Sequence, residues 1–162
     1  MDKIDKQIIL MLQENAILPV GEIASKVNLS LSSCWNRIKK LEEEKIIKKR
    51  VTILDGKKIN LPIVVFVTIS VSKHDEQFID LLNNYNEVIE IWRLSGEFDY
   101  LLKVVSESLE KYDIFIKKLV NEIKFISSFH SNIVLQEIKY TTSYPLDSLT
   151  DKKKNIMNLT KV

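Results

Sequence analysis

Apolar residues recur along the first 45 positions at spacings of three and four. Ile4, Ile8, Met11 and Leu12 fall on one face of a helix predicted over residues 2–15, with Asp5 near the N-terminal end that favours a carboxylate. Val20, Ile23, Ala24 and Val27 sit at i, i+3, i+4 and i+7, a second apolar stripe, which Asn28 and Leu29 interrupt. Ser30 then stands as an N-cap, its hydroxyl placed to accept from the backbone N–H of Ser32 or Ser33. A third helix over residues 30–44 turns Leu31, Cys34, Ile38 and Leu41 inward and Ser32, Ser33, Asn36, Arg37 and Lys40 outward. Two helices joined by a tight polar turn, the second bearing small polar and basic groups, make a helix-turn-helix. That geometry presents one helix to a DNA major groove.

After Glu44 the period changes from 3.6 to 2. Ile47, Arg50, Thr52 and Leu54 predict an extended, strand-bearing linker over 45–61, with Asp55-Gly56 as a turn signal. Strands are predicted over 63–71, 88–94, 100–105 and 126–140. Helices are predicted over 76–85, with Phe78, Leu81, Leu82 and Tyr85 inward, and over 109–123, with Tyr112, Phe115, Ile116, Leu119 and Ile123 inward. The order βαββαβ is the ferredoxin-like sandwich, an antiparallel sheet with two helices on one face. Its strands are apolar on both sides, as in Val64-Val65-Phe66-Val67 and Leu101-Leu102 with Val104-Val105, so a second subunit is the simplest cover for the uncovered face. The expected architecture is α+β. A helix-turn-helix (winged-helix-like) domain spans 1–44, the linker 45–61, the βαββαβ domain 62–146 and a basic tail 147–162.

Charge sharpens this division. Residues 1–60 hold 12 Lys+Arg against 8 Asp+Glu, residues 61–150 hold 8 against 13, and residues 151–162 hold 4 against 1. A basic first unit joined to an acidic second one suggests that only the first meets a polyanion. The single cysteine, Cys34, gives no internal disulfide framework, and with His74 and His130 far apart there is no zinc spacing. No secretory signal or membrane-spanning run is visible, so a cytoplasmic location is expected.

Four segments together carry a family resemblance. They are Asp2-Lys3-Ile4-Asp5-Lys6-Gln7-Ile8-Ile9; the run LSLSSCWNRIKKLE; Ser95-Gly96-Glu97-Phe98-Asp99-Tyr100-Leu101-Leu102; and Ile138-Lys139-Tyr140-Thr141-Thr142 before Pro145-Leu146. In that order and spacing the chain resembles the Lrp/AsnC regulators over roughly residues 2–146. The resemblance implies a sequence-specific transcriptional regulator, not an enzyme, that binds double-stranded DNA and forms homodimers assembling further. It also implies modulation by a small effector, an amino acid, with no other cofactor. Two positions depart from the family, which often has Pro where Leu31 stands and Gly where Lys45 follows the recognition helix. The second departure puts a non-glycine residue in a left-handed conformation, at a cost of about 1 kcal/mol.

Ser32, Ser33, Asn36, Arg37, Lys39 and Lys40 are the candidate DNA contacts. For Arg37, DNA contact is preferred over a pair with an acidic residue of its own domain, because helical spacing groups it with the other outward residues. Lys48, Lys49 and Arg50 read equally well as phosphate contacts or as a solvated run. Cys34 reads as core, Trp35 as a cover for its domain's surface and Trp92 as part of the sheet. The resemblance assigns an effector site to Ser95, Gly96, Glu97, Phe98 and Asp99, with Thr141 and Thr142 on its second side. There Asp99 would receive the ligand's ammonium group while backbone N–H groups hold its carboxylate. Against this stands the reading that Asp99 caps the turn and the threonines end a strand. Two other functions stay open. One is a siroheme-decarboxylase-like enzyme using His74 or His130, and the other is a stand-alone amino-acid sensor without DNA binding.

Overall fold

A computed structural model describes residues 1–73 and 76–146, with Glu76 and Gln77 described by backbone alone. His74 and the basic tail expected at 147–162 lie outside the described residues. The chain divides into two compact units, Met1–Thr52 with the segment from Lys139 onward, and Ile53–Ile138.

The first unit holds α1 (Lys3–Glu14), α2 (Val20–Lys26) and α3 (Leu31–Glu43). Ile8, Ile23 and Cys34 are completely buried, and Ile9, Leu12, Ala24, Val27, Ile38 and Leu41 close the core around them. Helices this short are marginal alone, so the shared core rather than propensity holds them. Leu31, expected in the inward stripe, is instead 61% exposed. It is the first residue of α3, ahead of the turn that packs, and its stripe partners begin only at Cys34. Leu146 also enters this core, and Gln13 and Tyr144 exchange two hydrogen bonds, Tyr144 N–H to Gln13 Oε1 at 2.6 Å and Gln13 Nε2 to Tyr144 O at 3.2 Å. The segment from Lys139 therefore packs with the helices, not with the sheet domain to which residues up to 146 were assigned.

Polar groups fix where each helix begins and ends. Asp2 and Asp5 form a reciprocal capping box at α1, each carboxylate accepting the other's backbone N–H at 2.8 Å. Their remaining oxygens both accept from Arg37 Nη1 of α3 at 2.7 Å, tying the start of α1 to the middle of α3. Backbone and guanidinium donors together hold the Asp2 carboxyl below its ordinary value of 3.8, the Asp5 N–H contributing most. Ser30 caps α3 by accepting from Ser33 N–H at 3.2 Å. After α2, Asn28 adopts a left-handed conformation, and its N–H and that of Leu29 return to the Ser25 and Ala24 carbonyls. After α3, Lys45 does the same at φ 55°, donating to Glu42 O at 3.0 Å, while Ile47 N–H reaches Leu41 O and its side chain packs on the core.

The linker carries no strand. Residues 45–61 form one 3-10 turn, Gly56–Ile59, which Asp55 caps by accepting from Lys57 N–H. Gly56 is required there, since a Cβ would lie 2.8 Å from the Leu61 carbonyl oxygen. Extended backbone becomes sheet only beside a partner, and Val51, Ile53 and Leu54 stand exposed without one among the described residues.

The second unit follows the expected βαββαβ order: β1 (Ile63–Val71), α4 (Glu76–Asn83), β2 (Val88–Arg93), β3 (Tyr100–Ser106), α5 (Leu109–Glu122) and β4 (Ile126–Ile133). The sheet order is β2-β3-β1-β4, with every neighbouring pair antiparallel. Val65, Val67, Ile69, Leu102 and Val104 point to one face and pack against Phe78 and Leu82 of α4 and Phe115, Ile116 and Leu119 of α5. Leu81, expected inward, is exposed. β4 ends at Ile133 rather than continuing to residue 140. Val134 N–H still reaches Val64 O, but β1 begins at Ile63, so further residues have no ladder to join.

Two expected outcomes concern the helical unit. Replacing Lys45 by glycine relieves the left-handed strain and raises stability by about 1 kcal/mol in urea unfolding; an unchanged midpoint would show the strain to be absent. The lowered Asp2 pKa means that this carboxylate's contribution is present above pH 3.8 and fades as pH falls further, through the folded value. Asp2→Asn keeps a good cap but loses the charge. The stability gap between wild type and variant should therefore be widest near neutral pH and shrink below pH 4; a gap independent of pH would contradict the ion-pair assignment.

Candidate nucleic-acid interface

α3 divides cleanly into a buried and a free side. Cys34, Ile38 and Leu41 lie in the core, while Ser32, Trp35, Asn36, Lys39 and Lys40 are exposed and Ser33 is half-buried. Ser30 orients the first turn of α3, where helix-turn-helix proteins make their base contacts. Lys39 and Lys40 form i,i+4 pairs with Glu43 and Glu44 at 3.6 and 3.7 Å. Exposed pairs of this kind contribute only about 0.3–0.5 kcal/mol, so a phosphate can displace the carboxylate.

Arg37 departs from expectation. Its guanidinium is engaged within its own unit by Asp2 and Asp5, a pairing with acidic residues of its own domain rather than a free outward donor. The physical reason is the capping box, which turns two carboxylate oxygens toward one donor, a charge-assisted arrangement that a spacing argument within α3 cannot see. Arg37 thereby positions α3 on α1. Arg50 is also engaged, donating to Glu42 Oε1 at 3.0 Å and to the Ala16 carbonyl at 3.1 Å. Burial raises the Cys34 thiol pKa, which keeps it protonated and unreactive. Trp35 does not cover its domain: it is 51% exposed, with Lys39 Nζ 5.4 Å from its ring centroid.

In the sheet unit, Ser95, Gly96 and Glu97 are exposed in the turn between β2 and β3, and Gly96 has φ 151°, a conformation that favours glycine. Asp99 closes this turn. Its Oδ2 accepts from Val71 N–H at 2.8 Å, its N–H donates to Ile69 O and its carbonyl accepts from Leu94 N–H. Phe98 meets the His130 ring edge-on, with centroids 5.0 Å apart. Thr141 and Thr142 belong to the helical unit, exposed, with Thr141 Oγ1 accepting from Ser143 N–H. Sequence reasoning missed the Asp99–Val71 bond, which joins residues 28 positions apart.

The sheet face opposite α4 and α5 carries Val64, Phe66 and Thr68 of β1 against Val105, Lys103 and Leu101 of β3, with Glu90 and Trp92 of β2 beside them. Lys103 and Glu90 pair at 3.1 Å on this face, and Trp92 is 57% exposed. Among the described residues no three His, Cys, Asp or Glu side chains gather as metal ligands, and no helix is long and apolar enough to cross a membrane.

Two family models match the chain, a winged helix-turn-helix DNA-binding domain over residues 1–48 and the Lrp/AsnC ligand binding domain over residues 64–144. The DNA-binding transcriptional activator DecR of Escherichia coli is 36% identical over 151 residues, which cover 91% of this chain and 99% of that protein. The glutamate uptake regulatory protein of Zymomonas mobilis is 39% identical over 156 residues, 94% of each chain. A crystal structure of a transcriptional regulator from Neisseria meningitidis in complex with L-methionine superposes with a TM-score of 0.87 at 33% identity, covering 93% of this chain and 99% of that one. With a helix-turn-helix whose second helix has a free polar face, and with matches over nearly all of its length, this chain belongs to the Lrp/AsnC family of DNA-binding transcriptional regulators.

Proposed function

We propose that α3 enters the major groove with Ser32, Ser33 and Asn36 toward the bases and Lys39 and Lys40 toward phosphates. The observation that supports this most is that Cys34, Ile38 and Leu41 hold one side of α3 in the core, which leaves Ser32, Asn36, Lys39 and Lys40 exposed on the other. Arg37 serves as a positioning residue that holds α3 against α1. The relatives' names as regulators favour DNA binding over the siroheme-decarboxylase-like and stand-alone sensor readings. His130, one of the two histidines offered for the enzyme reading, lies on the exposed strand β4 against Phe98.

The effector is an amino acid held at the turn of residues 95–99 of the sheet unit. Support comes from the ligand-binding domain match and from the Neisseria relative's complex with L-methionine. Asp99 acts there by fixing the turn through Val71 as well as by its charge. The open sheet face, with Val64, Phe66, Leu101, Val105 and Trp92, is covered by a second copy of the chain, giving a homodimer. Ligand binding then shifts the assembly equilibrium by as much as the affinity differs between assembly states.

Two experiments check these assignments. In a mobility-shift titration on DNA from upstream of the protein's own gene, Lys39→Ala with Lys40→Ala should lower affinity by about tenfold or more and reduce the salt slope by close to two. Unchanged binding would remove α3 from the groove, and DNA binding absent even in wild type would favour the stand-alone sensor. In a thermal-shift screen of the twenty amino acids, at least one should raise the melting temperature and alter the sedimentation profile of a dimer or larger species, and Asp99→Ala should lose both responses. A monomer at all concentrations would sink the dimer, and no shift with any of the twenty would sink the effector.

A further inference from the structure

The recognition helix carries two large apolar side chains that the core does not use. Leu31 is 61% exposed and Trp35 is 51% exposed, one helical turn apart at i and i+4, so they form a continuous apolar ridge along the start of α3. Neither position is forced by the fold. Leu31 occupies the first helical residue, where a small or polar residue serves as well, and Trp35 lies outside the buried set of Cys34, Ile38 and Leu41. The ridge flanks Ser32, Asn36 and Lys39, and Lys39 lies over the Trp35 ring. An apolar ridge among small polar and cationic groups does not match a protein surface patch as well as it matches the major groove. There the thymine C5-methyl is the one apolar group, set beside base-edge acceptors and flanked by phosphates.

We infer that Leu31 and Trp35 read thymine methyl groups and so give this regulator part of its sequence preference. The inference rests on the groove assignment of α3. It adds two residues to the polar set already named. Ser32 and Asn36 supply hydrogen bonds to base edges, Lys39 and Lys40 supply affinity that is indifferent to sequence, and the ridge distinguishes A·T from G·C pairs by covering methyl groups. The Lys39 ammonium over the Trp35 ring restricts it, which lowers the entropy lost when the ring settles on DNA.

The test uses the full-length protein and two versions of the DNA upstream of its own gene, one made with thymidine and one with deoxyuridine, which differs only by lacking the C5-methyl. Binding is measured by fluorescence anisotropy at one salt concentration, with Leu31→Ala, Trp35→Ala and Trp35→Gln beside wild type. Wild type should bind thymidine DNA more tightly by about fourfold for each methyl covered. Each single variant should lower that ratio by about the fourfold belonging to its own methyl contact while keeping the wild-type salt slope. Because both side chains are exposed, the variants should keep the wild-type circular dichroism spectrum. Wild type that binds both DNAs equally, or variants that retain its discrimination, would overturn the inference and leave the groove assignment standing. Wild type that binds neither DNA would overturn the groove assignment and the inference together.

Discussion

The burial of Cys34, Ile38 and Leu41 is the constraint from which the rest of the helical unit follows. A 13-residue helix with five lysine, arginine and glutamate side chains in its second half has little reason to be ordered in water. Once those three residues are committed to a core with Ile8 and Ile23, the rotation of α3 about its axis is set, and with it the identity of every outward residue. Arg37 then removes the remaining freedom. It bonds two carboxylates that are already immobilised as a capping box, so little entropy is lost in forming the fork, unlike an ordinary surface pair. A charged residue on a DNA-reading helix can thus act on specificity without touching DNA, by deciding the angle at which its neighbours arrive.

In the sheet unit the corresponding constraint is the one-sided helix layer. β1 and β3 lie at the centre, and their alternate residues are completely buried beneath α4 and α5. The residues between them, Val64, Phe66, Leu101 and Val105, are no less apolar, which is costly on a solvated surface and ordinary under a cover. The Lys103–Glu90 pair, at 3.1 Å, sets one ion pair among these apolar residues.

Most of the fold was legible because it is written in local periodicity. The helices and the strands β1 to β3 lie within a few residues of where the pattern puts them, with Ser30 as a cap and Asp55-Gly56 as a turn, while β4 stops seven residues short. Three features that the pattern does not show share one cause: each depends on residues far apart in sequence. Arg37 is 35 residues from Asp2, Asp99 is 28 from Val71, and Leu146 enters a core built from residues 8–41. The linker failed in the opposite sense. Its alternating pattern is real, but a strand needs a partner as well as a pattern. Leu31 shows the limit of a stripe, since a residue at the correct angle is still exposed when it precedes the turn that packs.

The position of Leu146 bears on how a ligand signal could travel. The chain leaves the helical unit after Thr52, builds the whole sheet unit and returns at Lys139, so the sheet unit is an insertion held at both ends rather than a domain on a single tether. The return is anchored by the burial of Leu146 and by the paired bonds between Gln13 and Tyr144, on the same α1 whose first turn grips Arg37. A strain applied to the returning segment therefore reaches α1 directly and α3 through Arg37, a chain of contacts inside one unit. That is a route, and it becomes a mechanism only where its end points have two arrangements of different ligand affinity.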